Sequence, residues 1–126
     1  FDGGMYSTPL LGGGNCSDLI FSTLANDGVN GDGHFYAFEK RTGKVVYKTK
    51  LKHYAWSSPV GFYNEKNELF IVVGDTYGYL YLIEGKTGRI IYDERFGANF
   101  ESSPVVVGNT LVVGSRGQSV YKVHIE

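Results

Sequence analysis

An all-β fold assembled from a tandem repeat is predicted by three observations. Shifting the 126-residue chain by 45 positions lays residues 33–59 over 78–104 without a gap. Apolar runs of four to eight residues are cut at short intervals by glycine, Asx and charged turns. The longest glycine-free stretch, residues 44–60, is rich in valine, threonine and aromatics and contains Pro59, so no window reads as a comfortable helix.

The two copies read "GHFYAFEKRTGKVVYKTKLKHYAWSSP" and "GYLYLIEGKTGRIIYDERFGANFESSP", identical at 9 of 27 positions. The shared residues are Gly33/Gly78, Tyr36/Tyr81, Glu39/Glu84, Thr42/Thr87, Gly43/Gly88, Tyr47/Tyr92, Ser57/Ser102, Ser58/Ser103 and Pro59/Pro104. Partial copies flank them, with "YSTPLLG" standing for "SSPVVVG" and "SVYKVHIE" for "YLYLIEGK".

Each copy divides into four strands. Strand A spans 8–12, 59–63 and 104–107; strand B spans 19–24, 69–73 and 110–114. Strand C spans 34–40, 79–84 and 119–125, and strand D spans 44–52 and 89–96. Strands A to C are nearly continuous apolar runs, as in "LFIVV" and "YLYLI", which suits sheets covered on both faces. Strand D alternates: Val45, Tyr47, Thr49 and Leu51 share one side, and Val46, Lys48, Lys50 and Lys52 the other, as a half-exposed outer strand should. Four antiparallel strands per repeat of about 45 residues, polar outside and apolar inside, are what a β-propeller blade requires. The 126 residues hold about 2.8 such blades, an incomplete propeller: blade 1 about 6–52, blade 2 about 57–97 and blade 3 about 102–126, lacking its outer strand. A lone arc would leave apolar inter-blade faces uncovered, so the remaining blades of a parent chain, or self-association, are expected to complete it. The start at Phe1, without an initiator methionine, reads as an excised or mature segment.

The "GKT" of residues 85–87 invites a phosphate-loop reading, which fails because Leu80 stands where the first glycine of G-x-x-x-x-G-K-S/T belongs and a β-branched run follows. Instead, E-x-x-T-G followed by a basic residue is the hairpin between strands C and D, with glycine supplying a left-handed turn residue. The pattern Tyr81, Glu84, Thr87-Gly88-Arg89 and Tyr92, followed by Ser103-Pro104-Val105, resembles the PQQ-type, quinoprotein-alcohol-dehydrogenase-like propeller repeat, "lyAlDaxTGkxxW … sPvv … vyvgsxdG". Glu39 and Glu84 replace that family's usual Asp, and Tyr47 and Tyr92 its usual Trp. The resemblance implies an extracellular, cell-surface or periplasmic setting. It also implies one of two roles: a non-enzymatic binding or scaffolding module, or part of a quinone-dependent dehydrogenase or of a multidomain enzyme with catalysis elsewhere.

In quinone dehydrogenases the resemblance implies a vicinal disulfide, a stacking tryptophan and Ca²⁺ held by Glu, Asn and Asp. Cys16 is the only cysteine and Trp56 the only tryptophan, so no PQQ and no Ca²⁺ are expected here. An EF-hand frame would put Asn30, Asp32, Gly33 and Glu39 at positions 3, 5, 6 and 12, but Gly28 stands at position 1 and no helix flanks the loop. His34, His53 and His124 lack metal-ligand spacing, and no G-x-S-x-G or H-E-x-x-H motif occurs. Asn15-Cys16-Ser17 formally fits a glycosylation sequon.

The charge balance, 12 basic against 13 acidic residues, gives no pull toward nucleic acid. The densest basic run, Lys40, Arg41, Lys44, Lys48, Lys50 and Lys52, is the solvated face of an outer strand. No run of 18 apolar residues exists to make a membrane span.

In an up-and-down blade the A–B and C–D turns share one end, and the B–C loops and D–A connections share the other. The second end gathers His53, Tyr54, Trp56, Tyr77, Asn99, Glu101 and Arg116, together with Asp75, Thr76, Phe100 and the loop 26–32. Aromatic, amide and charged groups on one loop-built face suit a binding surface for a protein or carbohydrate ligand.

Overall fold

The computed structural model describes residues 5, 7–24, 33–100 and 102–125. Eleven strands are present among them: β1 (Leu10–Leu11), β2 (Leu19–Leu24), β3 (Gly33–Glu39), β4 (Val45–Leu51), β5 (Val60–Tyr63), β6 (Leu69–Gly74), β7 (Tyr79–Glu84), β8 (Ile90–Arg95), β9 (Val105–Val107), β10 (Thr110–Gly114) and β11 (Val120–His124). They form three antiparallel sheets, β1-β2-β3-β4, β5-β6-β7-β8 and β9-β10-β11. Each sheet is a blade of an incomplete β-propeller, and the third ends at β11 without an outer strand among the described residues.

Period-2 alternation explains why the inner strands are apolar throughout. In the second sheet Ile71, Val73, Tyr81 and Ile83 pack toward the first sheet, against Phe21, Phe35, Ala37 and Leu51. Their neighbours Val72 and Leu80 pack the opposite way, against Leu111, Val113 and Phe100. A blade between two others therefore has no solvent face on its inner strands.

Strand D departs from strict alternation at one point in each copy. The register slips between Ala37 and Phe38, where Tyr47 is followed by Val45 as the next partner, and again between Leu82 and Ile83, where Tyr92 is followed by Ile90. Val46 and Ile91 are thus bulged residues, and both Val45 and Val46 are exposed. The bulge sits directly after the T-G turn and aims Tyr47 and Thr49 at the next blade.

That turn is built twice alike. Gly43 N–H donates to the Glu39 carbonyl and Gly88 N–H to the Glu84 carbonyl, each at 2.8 Å, with the glycines at φ 72° and 79°. The threonine hydroxyl caps the turn by accepting the N–H of Lys44 at 3.2 Å or Arg89 at 3.3 Å. The second turn also receives the first blade: the Tyr47 hydroxyl donates to the Gly85 carbonyl at 2.7 Å and the Thr49 hydroxyl to the Gly88 carbonyl at 2.6 Å.

The Ser-Ser-Pro sequence has two jobs. The first hydroxyl latches within its own blade: Ser57 Oγ donates to the Gly74 carbonyl at 2.8 Å and accepts its N–H at 3.1 Å, and Ser102 Oγ donates to the Gly114 carbonyl at 2.7 Å. The second joins blades: Thr8 N–H donates to Ser58 Oγ at 2.8 Å and Ser58 N–H to Ser103 Oγ at 3.0 Å. Because Ser57 is fully buried and Ser58 is not, Ser57→Ala is expected to destabilise by about 2 kcal/mol and Ser58→Ala by about 0.5 kcal/mol, measured by urea unfolding of the full chain. Hydrogen exchange at the Gly74 amide should accelerate in the first variant only.

A 3-10 turn at Gly14–Cys16 stands between β1 and β2. It places Asn15 so that its Oδ1 accepts the Leu69 N–H at 2.9 Å, tying the first blade to the second. Among the described residues no helix is long and apolar enough to cross a membrane.

Candidate functional site

The loop end of the blades is shaped by the connection from strand D to the next strand A. After β4 the chain crosses the start of its own strand C so closely that a Cβ on Gly33 would lie 2.2 Å from the Tyr54 Cα. After β8 the same crossing puts Gly97 O 2.2 Å from a Cβ on Gly78. Glycine is therefore required at both shared positions. Each connection then meets the B–C loop of the following blade: Thr76 N–H donates to the Tyr54 carbonyl at 3.1 Å, and Arg116 N–H donates to the Asn99 carbonyl at 2.8 Å. The loops are thereby held by backbone bonds to a neighbouring blade.

These contacts decide where the sequence-expected residues go. His53 and Tyr77, 24 positions apart, are brought together, their rings stacked with centroids 3.6 Å apart and planes 14° apart. Tyr54 and Trp56 form a tilted ring pair at 5.6 Å. Asn99 and Arg116 meet through the backbone bond just described, one blade away. Glu101 lies outside the described residues, as do Asn30 and Asp32 of the calcium frame.

Two residues of the expected face turn inward instead. Phe100 is fully buried between the second and third sheets, and Asp75 is fully buried beneath the B–C turn. The Asp75 carboxylate accepts the N–H groups of Tyr77 at 2.9 Å and Tyr79 at 3.0 Å through Oδ1, and the Tyr81 hydroxyl at 2.6 Å through Oδ2. Tyr81 Oη in turn accepts the Lys52 N–H at 3.0 Å. Burial first, and then the bond to Asp75, push the Tyr81 phenol far above its ordinary value of 10.0, so it stays protonated and keeps donating.

The sequence places Lys52 in the solvated basic run and Arg95 within the second strand D, yet both return to this end. Lys52 Nζ lies 4.5 Å from the Tyr79 ring centroid and 3.5 Å from the Asp93 carboxylate. Arg95 Nε donates to the carbonyls of Tyr77 at 3.0 Å and Gly97 at 3.3 Å. Nothing local in the sequence signals this gathering, because it follows from the D–A connection doubling back. The rest of the basic run is dispersed: Lys40 Nζ donates to the carbonyls of Gly12 and Ser17 at 3.0 and 2.6 Å, at the opposite end.

The residues present do not fit the quinone arrangement. Cys16 is fully buried in the core between the first and second sheets, Trp56 packs on Tyr54, and no three His, Cys, Asp or Glu side chains converge among the described residues. Burial raises the Cys16 thiol above its ordinary value of 9.0, an effect the Lys86 ammonium only partly opposes. With the folded value raised, the thiol's contribution to stability is present below pH 9 and is lost as pH rises through the folded value. The native chain is accordingly expected to react with a disulfide reagent at pH 8 only as fast as it unfolds, and urea should make labelling complete within seconds; rapid native labelling would contradict this burial.

A cleft of about 700 Å³ lies between the second and third sheets, lined by Leu80, Leu82, Tyr92, Leu111 and Val123 among others. Tyr92, the counterpart of Tyr47, is 55% exposed there, and among the described residues no T-G turn of the third sheet meets it.

No curated protein matches the chain. Solved structures with a similar fold include the computationally designed Ika8 protein (TM-score 0.64, 13% identity, 86% of this chain and 30% of that one). The computationally designed Ika4 protein (0.64, 16%, 86% and 61%) and a europium-containing methanol dehydrogenase (0.50, 14%, 83% and 20%) are similar as well. The chain spans less than two thirds of each, and at these identities the likeness concerns the fold. A family model described as "Outer membrane protein assembly factor BamB" matches residues 29–126, the span that holds both full T-G turns and both Ser-Ser-Pro latches, and the chain belongs to this family of PQQ-like β-propeller repeats.

Proposed function

We propose that the chain is a segment of a larger PQQ-like propeller acting as a non-enzymatic binding or scaffolding module, and that it engages a protein partner through the end formed by the D–A connections and B–C loops. The observation that carries this reading is the pair of inter-blade backbone bonds, Thr76 to Tyr54 and Arg116 to Asn99, which hold the loops while Tyr77 and Arg116 remain exposed. A preformed loop face loses little conformational freedom on association. The family's description as an assembly factor supports a protein partner.

The enzymatic reading is tested by thermal unfolding of the full chain with added quinone and Ca²⁺. No shift beyond that given by Ca²⁺ alone is expected. A saturable rise of several degrees that requires both would overturn the non-enzymatic reading, because a ligand held only by the folded state raises the midpoint by mass action.

A further inference from the structure

The second and third blades build one loop-end frame from different residues. Ser115 N–H donates to the Ser119 carbonyl at 2.9 Å as Asp75 N–H does to the Tyr79 carbonyl, and Arg116 N–H meets Asn99 as Thr76 N–H meets Tyr54. Ser102 Oγ on the Gly114 carbonyl repeats Ser57 on Gly74. Gln118 takes the left-handed conformation of Gly78, at φ 62° against 87°. In this frame Ser115 stands where Asp75 stands, Gly117 and Ser119 where Tyr77 and Tyr79 stand, and Tyr121 where Tyr81 stands.

What the frame holds differs. In the second blade it closes on a carboxylate, since Asp75 accepts the N–H groups of Tyr77 and Tyr79 and the Tyr81 hydroxyl. In the third blade that carboxylate is replaced by a serine and the three donors remain. Among the described residues no acceptor meets the N–H groups of Gly117 or Ser119, and no carboxylate meets the Tyr121 hydroxyl. The Tyr121 oxygen still occupies the place of its counterpart: it lies 2.5 Å from a Cβ built on Gly97, which is equivalent to Lys52, whose N–H meets Tyr81 Oη. Ser115 Oγ is buried with no hydrogen-bond partner among the described residues. Beside it a hollow of about 280 Å³ opens to solvent, lined by Ser102, Gly114, Ser115 and Arg116. Arg116 is the one charged side chain of that lining, and the Asp75 carboxylate, in the neighbouring blade, is taken up by its own three donors. Hydrogen bonds from N–H and O–H groups to an ionised carboxylate are shorter and stronger than neutral ones. The second blade shows that donors set in this frame fit one.

We propose that the Ser115 hydroxyl, the N–H groups of Gly117 and Ser119 and the Tyr121 hydroxyl form a carboxylate site in the third blade, filled by an aspartate or glutamate side chain of the protein partner. The source of the carboxylate rests on the reading of the loop end as the partner-binding face. Its chemistry rests on the arrangement around Asp75.

The test is titration of the full chain with acetate, followed at the backbone amides by NMR. The Gly117 and Ser119 amides should shift saturably, and chloride should not reproduce the shift. Ser115→Asp supplies the group from within: the same two amides should already stand at their acetate-saturated positions, acetate affinity should fall at least tenfold, and the unfolding midpoint should rise by a few degrees. Ser115→Ala should give none of these three effects. No saturable shift of the two amides, or one that Ser115→Asp leaves intact, would overturn the site. The native titration decides this even if the variant fails to fold. The source is read by a photoreactive aromatic residue at position 77, on the neighbouring B–C loop: its protein adduct should be lost with Ser115→Asp and kept with Ser115→Ala. An adduct that survives Ser115→Asp would overturn the partner's acidic side chain as the occupant. No adduct from the native loop would instead count against the loop end as the binding face, with the acetate result unaffected, which separates the two failures.

Discussion

Replacing Gly88 with alanine is expected to destabilise the chain by about 3 kcal/mol, whereas the same change at Gly43 should cost only about 1 kcal/mol. The two glycines occupy equivalent places in the T-G turn, at φ 79° and 72°, so backbone strain from a left-handed alanine is common to both. Their surroundings differ. A Cβ on Gly88 would lie 2.5 Å from the Tyr47 ring and 2.7 Å from Thr49 Oγ1, whereas one on Gly43 meets nothing within 4 Å. Relieving the first contact pushes Tyr47 off the Gly85 carbonyl, leaving a half-buried phenol without its acceptor. Urea unfolding of the two variants isolates inter-blade seating from turn strain. Equal losses would mean that the turn is not a docking point between blades.

Asp75→Ala is expected to be comparably damaging, at about 3 kcal/mol. The substitution removes the acceptor for two N–H groups and a tyrosine hydroxyl in a fully buried place, leaving three donors without partners. Tyr81→Phe should cost about 1.5 kcal/mol, since it frees one carboxylate oxygen and the Lys52 N–H together. The pair should be non-additive: with Asp75 already alanine, loss of the Tyr81 hydroxyl should cost less than half its value in the native chain. Simple additivity in a double-mutant cycle would mean that the two do not act as one unit. Because Asp75 also holds the Tyr77 N–H, its loss should loosen the loop end, seen as faster amide exchange from Asp75 to Gly78.

Strands and turns were legible in the sequence because they are written twice. The match of Tyr81, Glu84, Thr87 and Gly88 to Tyr36, Glu39, Thr42 and Gly43 located every C–D hairpin, and alternation along residues 45–52 identified the outer strand. Features arising between blades were not legible. The bulge at Val46 lies beside Tyr47, whose hydroxyl reaches the Gly85 carbonyl 38 positions away, and the same bulge recurs at Ile91 although Tyr92 stays exposed. The 3-10 turn at Gly14–Cys16 is anchored by Leu69, and the two serines of Ser-Ser-Pro read alike although one latches its own blade and the other its neighbour. At the loop end, composition named His53 and Tyr77 but carried no sign of their stacking. It also counted Asp75 and Phe100 as surface groups, when both are packed beneath it. Lys52 and Arg95 were hidden for the opposite reason, since strand alternation describes them correctly as outer-strand residues and is silent on what the returning chain brings beside them.

The proposal that the loop end is the partner-binding face is tested most directly by site-specific photo-crosslinking of the protein as it exists in its cell. A photoreactive residue at Arg116 probes the loop end and one at Asn109 the turn end of the same blade, both at exposed positions. A discrete protein adduct of one mass is expected from position 116 and none from position 109. Adducts from position 109 alone, or equally from both, would contradict the assignment of the loop end as the binding face.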